Sequence, residues 1–173
     1  KKMISDLLSL TKEEAIIKVN LENTNIEELV NEISHNYIDI AEIQEKKFNI
    51  EYNLKNKEIL TDKNKLRQLI LIFVDNAFKY TKKHDEIFIN IVENTNNTMS
   101  IFIMDSGIGI KEEDIPYLFD RFFRSENVRK NDIDGSGIGL SIAKMISLNL
   151  NIDIKVKSKI NDKTIFELIV PYK

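Results

Sequence analysis

The 173-residue chain is long enough for one domain with a substantial core, and its 42% hydrophobic and 31% charged residues suit a globular protein. A net charge of −3 argues against a general nucleic-acid binder, the lack of cysteine excludes disulfides and thiolate metal sites, and two histidines are too few for a His-based zinc site. No apolar run approaches a membrane span and no signal peptide is visible, while a first residue that is Lys rather than Met reads as a piece cut from something longer.

In chain order, Met3, Ile4, Leu7, Leu8 and Leu10 share one helical face, too short to stand alone, so this run reads as the tail of a longer helix. Ala15 to Leu21 is expected to be extended. Thr24 or Asn25 is placed to cap a helix from Ile26, with Glu27 and Glu28 in the first turn where the helix dipole favours acids. Phe48 to Leu54 alternates as a strand does, and a short extended piece lies around Glu58 to Leu60. Thr61-Asp62 then caps a helix over 63–80 that is apolar nearly all round from Leu69 to Val74, which predicts a buried central helix. Ile87 to Val92 and Met99 to Met104 read as strands joined by the turn Asn94-Thr95-Asn96-Asn97. Glu112 to Leu118 holds at most a helical turn, because of Pro116, and Arg121 to Asp134 has the aperiodic polarity of a mobile loop. Ser136 or Gly137 is expected to start a helix to about Leu148, followed by a hairpin of Ile152–Ser158 and Thr164–Val170 around Asn161-Asp162. The sum is an α/β two-layer sandwich: a mixed, largely antiparallel sheet covered on one face by about three helices.

All five glycines fall in two stretches, Asp105-Ser106-Gly107-Ile108-Gly109-Ile110 and Gly135-Ser136-Gly137-Ile138-Gly139-Leu140. Glycine placed so selectively marks backbone that bends sharply or approaches a ligand closely. The second stretch runs into a helix, whose N-terminus with its crowded amides attracts phosphate, although a flexible helix start is an equally good reading of it alone. It is neither a P-loop nor a dinucleotide fingerprint. Asp105 at a strand end can accept a hydrogen bond from an exocyclic amine such as that of adenine, or simply cap a turn. Asn76 on an apolar helix needs a partner, either neighbouring backbone or a hard ion such as Mg²⁺. Lys79, one turn on, either points at phosphate or is a solvated helix-end lysine.

Together the stretches Asp75-Asn76-Ala77-Phe78-Lys79-Tyr80-Thr81, 105–110 and 135–140 resemble the N, G1 and G2 boxes of the ATP-binding catalytic domain of bacterial two-component sensor histidine kinases, a Bergerat-fold ATPase. Ile115 to Arg124 is similar to that family's F box, and Thr164 to Leu168 followed by Pro171 to its closing strand. The likeness runs from about Asn20 to the C-terminus. Residues 1–12 resemble the end of a dimerisation and phosphoacceptor helix, which leaves 13–173 as the ATP-binding domain.

The resemblance implies that Asn76 ligates Mg²⁺ between the phosphates, Lys79 contacts phosphate and Tyr80 lies beside the nucleotide. It implies that Asp105 binds the adenine amino group in a pocket shaped by Gly107 and Gly109, with Ile110 and Thr164 also among the nucleotide-binding residues. Gly135, Ser136, Gly137, Ile138, Gly139 and Leu140 would form the hinge and phosphate-side wall of a lid, anchored by burial of Phe119, Phe122 and Phe123. Arg121 and Arg124 would bring positive charge to the γ-phosphate; Arg129 and Lys130 are better read as solvated loop charges. The implied cofactors are ATP and Mg²⁺. The implied partners are the parent protein's own dimerisation domain and a response regulator receiver domain, with no nucleic acid. The parent is expected to be a membrane-bound homodimeric sensor with this domain in the cytoplasm, and the isolated domain a monomer.

One residue departs from the pattern. Ile72, one helical turn before Asn76, stands where these kinases usually carry a polar residue and gyrase-like relatives a water-activating Glu. Asp75 lies about 100° away on the helix and is a poor substitute. His35 and His84 lack the sequence context of a phosphoacceptor, so both are expected at the surface and the acceptor in another domain. Phosphoryl transfer to histidine is the leading expectation. A degenerate ATP-binding regulatory module, a hydrolytic ATPase and a serine kinase of the anti-sigma type are the rivals.

Overall fold

The computed structural model describes residues 18–126, 128 and 135–172. The helix expected from Met3 to Leu10, the 1–12 segment, residues 15–17 of the expected extended run, Arg129 and Lys130 lie outside them. The elements are β1 (Glu22–Asn25), α1 (Ile26–Ile43), β2 (Lys47–Asn53), β3 (Glu58–Thr61), α2 (Lys63–Tyr80), β4 (Glu86–Glu93), β5 (Thr98–Asp105), a 3-10 turn (Glu112–Tyr117), α3 (Gly139–Asn149), β6 (Asp153–Ser158) and β7 (Thr164–Pro171).

A five-stranded sheet runs in the order β2-β4-β5-β7-β6, with only β2 and β4 parallel. The three helices lie on one face, as the sequence pattern predicts. Alternation along the strands explains why: Ile87, Ile89 and Ile91 of β4, Ile101 and Ile103 of β5, and Phe166, Leu168 and Val170 of β7 all point into one buried layer. Against it sit Leu66, Leu69, Ile70, Phe73 and Val74 of α2, each fully buried, which makes α2 the central helix expected from its all-round apolar run. Phe73 meets Phe166 at a ring-centroid distance of 4.7 Å, locking α2 to the sheet.

Side-chain caps set both long helices. Asn25 Oδ1 accepts from the Glu28 amide at 3.2 Å, and Asp62 Oδ1 from the Lys65 amide at 3.0 Å. The far end of α2 is held differently: Lys46 Nζ, from the turn after α1, donates to the Phe78 carbonyl at 2.6 Å. A cation on a helix's last carbonyls satisfies an orphan acceptor and opposes the dipole.

Three local expectations change. Extended structure forms at Glu22–Asn25, pairing with β3 as a separate two-stranded sheet, because the outer strand needs β3 as a partner. Helix α3 begins at Gly139, after a left-handed Gly137 (φ +72°) that no helix accommodates at its start. Phe122, expected to be buried, is 58% exposed with φ +64°, while Phe119 and Phe123 are partly buried. His35 and His84 are both exposed, as expected.

Candidate functional site

One face of α2 and the chain that crosses it build a cavity of about 680 Å³, within the range of ligand pockets. Helical spacing puts Gln68, Ile72, Asn76 and Lys79 along the same side of α2, and all four line the cavity. Ile72 to Tyr80 spans roughly 12 Å at about 1.5 Å per residue, which gives the site its long axis.

At the Tyr80 end lies the loop after β5. The Ile108 amide donates to the Tyr80 carbonyl at 3.2 Å, and the Gly107 amide to Asp105 Oδ1 at 3.0 Å. A Cβ on Gly107 would lie 2.2 Å from the Tyr80 carbonyl oxygen, so only glycine lets this loop touch the helix end. Gly109, with φ +67°, packs so tightly that a Cβ would lie 2.0 Å from the Lys159 carbonyl oxygen. The Asn161 amide donates to the Ile108 carbonyl at 2.9 Å, and the Ile110 amide to Ser158 Oγ at 2.9 Å. The loop is thereby clamped between α2 and the β6–β7 turn.

Asp105 faces the cavity from the end of β5, directly opposite Thr164 on antiparallel β7. Such pairs hold their Cβ atoms about 5 Å apart on the same face. Both side chains are buried, and Thr164 is tied to Ser158 by an Oγ1···Oγ distance of 2.8 Å. Burial pushes the Asp105 carboxyl up to about 7; the nearby Asp85 adds to the rise and the Gly107 amide opposes it. The result is a buried carboxyl with an oxygen available to a donor in a pocket walled by Ile108, Gly109 and Ile110.

The opposite wall is cationic and rich in amides. Lys79 Nζ lies 4.9 Å from the Tyr80 ring centroid and 3.4 Å from its hydroxyl. It also rests against Gly135, where a Cβ would stand 2.1 Å from it. Burial raises the Tyr80 phenol's pKa, and the positive charge of Arg124 opposes the rise. Arg124, Ser125, Gly135, Ser136, Gly137, Gly139 and Leu140 all face the cavity. Helix α3 starts without a side-chain cap at Ile138, so its first-turn amides are left for an anion. Gly139 sits at the Ile72 end of α2: a Cβ there would stand 3.7 Å from Ile72 Cγ2.

The structure thus gathers Asn76, Lys79, Tyr80, Asp105, Gly109, Ile110, Arg124, Gly135, Ser136, Gly137, Gly139, Leu140 and Thr164 around one space. Gly107 and Ile138 lie just behind the wall, Gly107 as a spacer and Ile138 as buried core. Phe119 and Arg121 lie on a second cleft, with Lys144, Met145 and Leu148 of α3. Sequence reasoning passes over Gln68 and sets Asp75 aside, yet both line the cavity. Asp75 is also gripped from α1, Tyr37 donating its hydroxyl to Asp75 Oδ1 at 2.5 Å. The i, i+4, i+8 spacing of Gln68, Ile72 and Asn76 is the available signal for Gln68.

The family model for histidine kinase-, DNA gyrase B- and HSP90-like ATPases matches residues 61–173. The signal transduction histidine-protein kinase ArlS of Staphylococcus haemolyticus is 35% identical over 171 residues, and that of Staphylococcus aureus 37% over 169. Each alignment takes in 97% of this chain, which spans 37% of the length of those relatives. Among solved structures, full-length ShkA in complex with AMPPNP superposes with a TM-score of 0.86 at 21% identity, over 99% of this chain and 35% of that one. The catalytic domain of histidine kinase ThkA gives 0.75 at 21%, over 88% and 96%. ThkA in complex with the response regulator protein TrrA gives 0.82 at 18%, over 99% and 48%.

Proposed function

The chain belongs to the histidine kinase-, DNA gyrase B- and HSP90-like ATPase family, and on that premise we propose that it binds Mg-ATP in this cavity and delivers the γ-phosphoryl group to a histidine on a separate dimerisation domain. The parent protein would then act in two-component signalling with a response regulator, as a membrane-bound homodimer with this domain in the cytoplasm. The observation that carries the reading is the polarity of the cavity. A buried carboxyl paired with Thr164 stands where α2 ends, and Lys79, Arg124 and the uncapped start of α3 stand along the rest.

Asp105 would accept a hydrogen bond from the adenine amino group, and Tyr80 and Ile110 would flank the base. Lys79 and Arg124 would neutralise phosphate oxygens, and the α3 amides would hold them in place. The donor set fits Mg²⁺ as a phosphate-borne ion. Asn76 offers one amide oxygen, and among the described residues no group of three His, Cys, Asp or Glu gathers to cage a metal. Bound there with the triphosphate, Mg²⁺ supplies charge neutralisation. The chain's own contribution is positioning and fixed electrostatics, the main resources for phosphoryl transfer.

Ile72 bears on what is not done. An aliphatic side chain against Gly139 offers no base to activate water, so steady hydrolysis without an acceptor should be slow. The same residue favours the second reading, a regulatory module that binds ATP and transfers nothing. Incubating the chain with γ-labelled Mg-ATP and a separately prepared acceptor-helix domain decides between them. Acid-labile phosphohistidine on the acceptor is expected; ATP binding with no phosphohistidine would leave only the regulatory module.

A further inference from the structure

The helices cover one face of the five-stranded sheet, and among the described residues no helix covers the other. The strand register places six half-buried apolar side chains side by side there: Phe88 and Val92 of β4, Phe102 and Met104 of β5, Ile165 and Ile169 of β7. They form the middle of three rows that cross the whole sheet. One row runs Asn49, Phe88, Met104, Ile165, Lys157; the next Glu51, Asn90, Phe102, Glu167, Lys155; the third Asn53, Val92, Ser100, Ile169, Asp153. The apolar centre is therefore rimmed by Glu51 on one edge strand and by Lys155 and Lys157 on the other, all three exposed.

We propose that this face pairs with the same face of a second copy of the chain, forming a weak two-fold dimer by sheet-on-sheet packing. The charge arrangement is self-complementary. A two-fold axis lying along β5 in the interface sets each strand order against its reverse, so β2 of one copy covers β6 of the other. Glu51 then faces Lys155 of the second copy, Asn90 faces its Glu167, and Phe102 packs on Phe102. Any isologous interface needs this property, that one patch be its own complement. Glu167 is already prepared for burial: Ser100 donates to its Oε1 at 2.7 Å and receives Asn94 Nδ2 at 3.0 Å.

Area sets the strength. Five strands about 4.8 Å apart and roughly seven residues long, at about 3.3 Å each, give a face of about 550 Å² per copy. The pair would bury about 1,100 Å², just above the roughly 1,000 Å² that a specific interface needs and well below an obligate one. An interface that close to the lower limit is a weak one, and the domain expected from its sequence to be a monomer would be one only when dilute. The nucleotide cavity lies on the helical side, so pairing leaves it open and stands or falls independently of the ATP reading.

Sedimentation equilibrium of the full 173-residue chain from about 10 µM to about 1 mM tests this. The weight-average mass is expected to climb from 20.2 kDa toward twice that value. Phe102→Asp should hold it at the monomer. Glu51→Lys and Lys155→Glu, at exposed positions on the two edge strands, should each weaken pairing at least several-fold, and the double charge swap should restore it. A monomer at every concentration would overturn the proposal, whether residues 1–17 or another protein covers the face instead. So would a dimer that ignores Phe102→Asp, or charge swaps whose effects merely add.

Discussion

Asp105 answers two opposed demands. On the proposed reading it is buried to recognise a base by a hydrogen bond that water cannot imitate, and burial penalises its charge. It titrates at about 7 in the folded chain against 3.8 for an ordinary aspartate, so between those values the folded state carries the extra proton. The stability of that neutral form is complete below about pH 4 and is lost as pH rises through 7. Asp105→Asn removes the titration while keeping shape and an acceptor oxygen for the Gly107 amide. The variant without nucleotide should therefore melt like the wild type near pH 4 and several degrees higher at pH 8, read by calorimetric melting. The ceiling on that gain is about 1.4 kcal/mol for each tenfold difference in proton affinity between the folded and unfolded carboxyl. Equal melting at pH 8 would mean that the carboxyl is not desolvated. Asp105 is legible in the sequence because residue type, strand end and flanking glycines coincide in one short stretch. Asp75 is passed over because it is judged by its angle from Asn76 alone; lying three residues after Ile72 and four before Lys79, it falls on the cavity side of α2 by helical spacing itself.

At the scale of elements, the loop after β5 is held in a clamp with two jaws, the C-terminus of α2 and the β6–β7 turn. Each jaw meets a glycine: Gly107 against the Tyr80 carbonyl and Gly109 against the Lys159 carbonyl. Gly109→Ala adds a Cβ to a left-handed residue already in backbone contact, so it should cost about 2 kcal/mol or more and lower the melting temperature by several degrees. If instead the variant melts like the wild type, the loop is not held by the turn. Helix and strand identities are readable because burial on one side imposes periods of 3.6 and 2, as in α2 and β4. The start of α3 is not, because its cap is a tertiary arrangement. The left-handed Gly137, bonded through its carbonyl to the Phe122 amide at 3.0 Å, ends the preceding loop, and a local sequence window cannot show that partner. The sequence pattern misses β1 at Glu22–Asn25 for a related reason, since its pairing with β3 reaches across more than thirty residues.

Over the whole molecule, one sheet separates two surfaces with different tasks. The helical side encloses the cavity: α2 supplies its floor, α3 the amides of its uncapped first turn, and β5 with β7 its buried carboxyl and hydroxyl. The other side is an apolar field between charged edges, which emerges only when strand order converts three separate alternations into rows. Lys46 on the Phe78 carbonyl and Tyr37 on Asp75 tie α1 to the far end of α2, so the first helix supports the site without entering it.

On the proposed reading the cavity has a base end at Asp105 and a phosphate end at Lys79. Titration calorimetry of the wild type, Asp105→Asn and Lys79→Ala against Mg-ATP and against adenosine tests it most directly. At pH 8, where the Asp105 carboxyl is ionised, Asp105→Asn should weaken both ligands by about 10- to 100-fold, the worth of a hydrogen bond to a charged group, and Lys79→Ala should weaken Mg-ATP about 10-fold and leave adenosine unchanged. Unaltered affinity in Asp105→Asn, or equal losses for both ligands in Lys79→Ala, would contradict it.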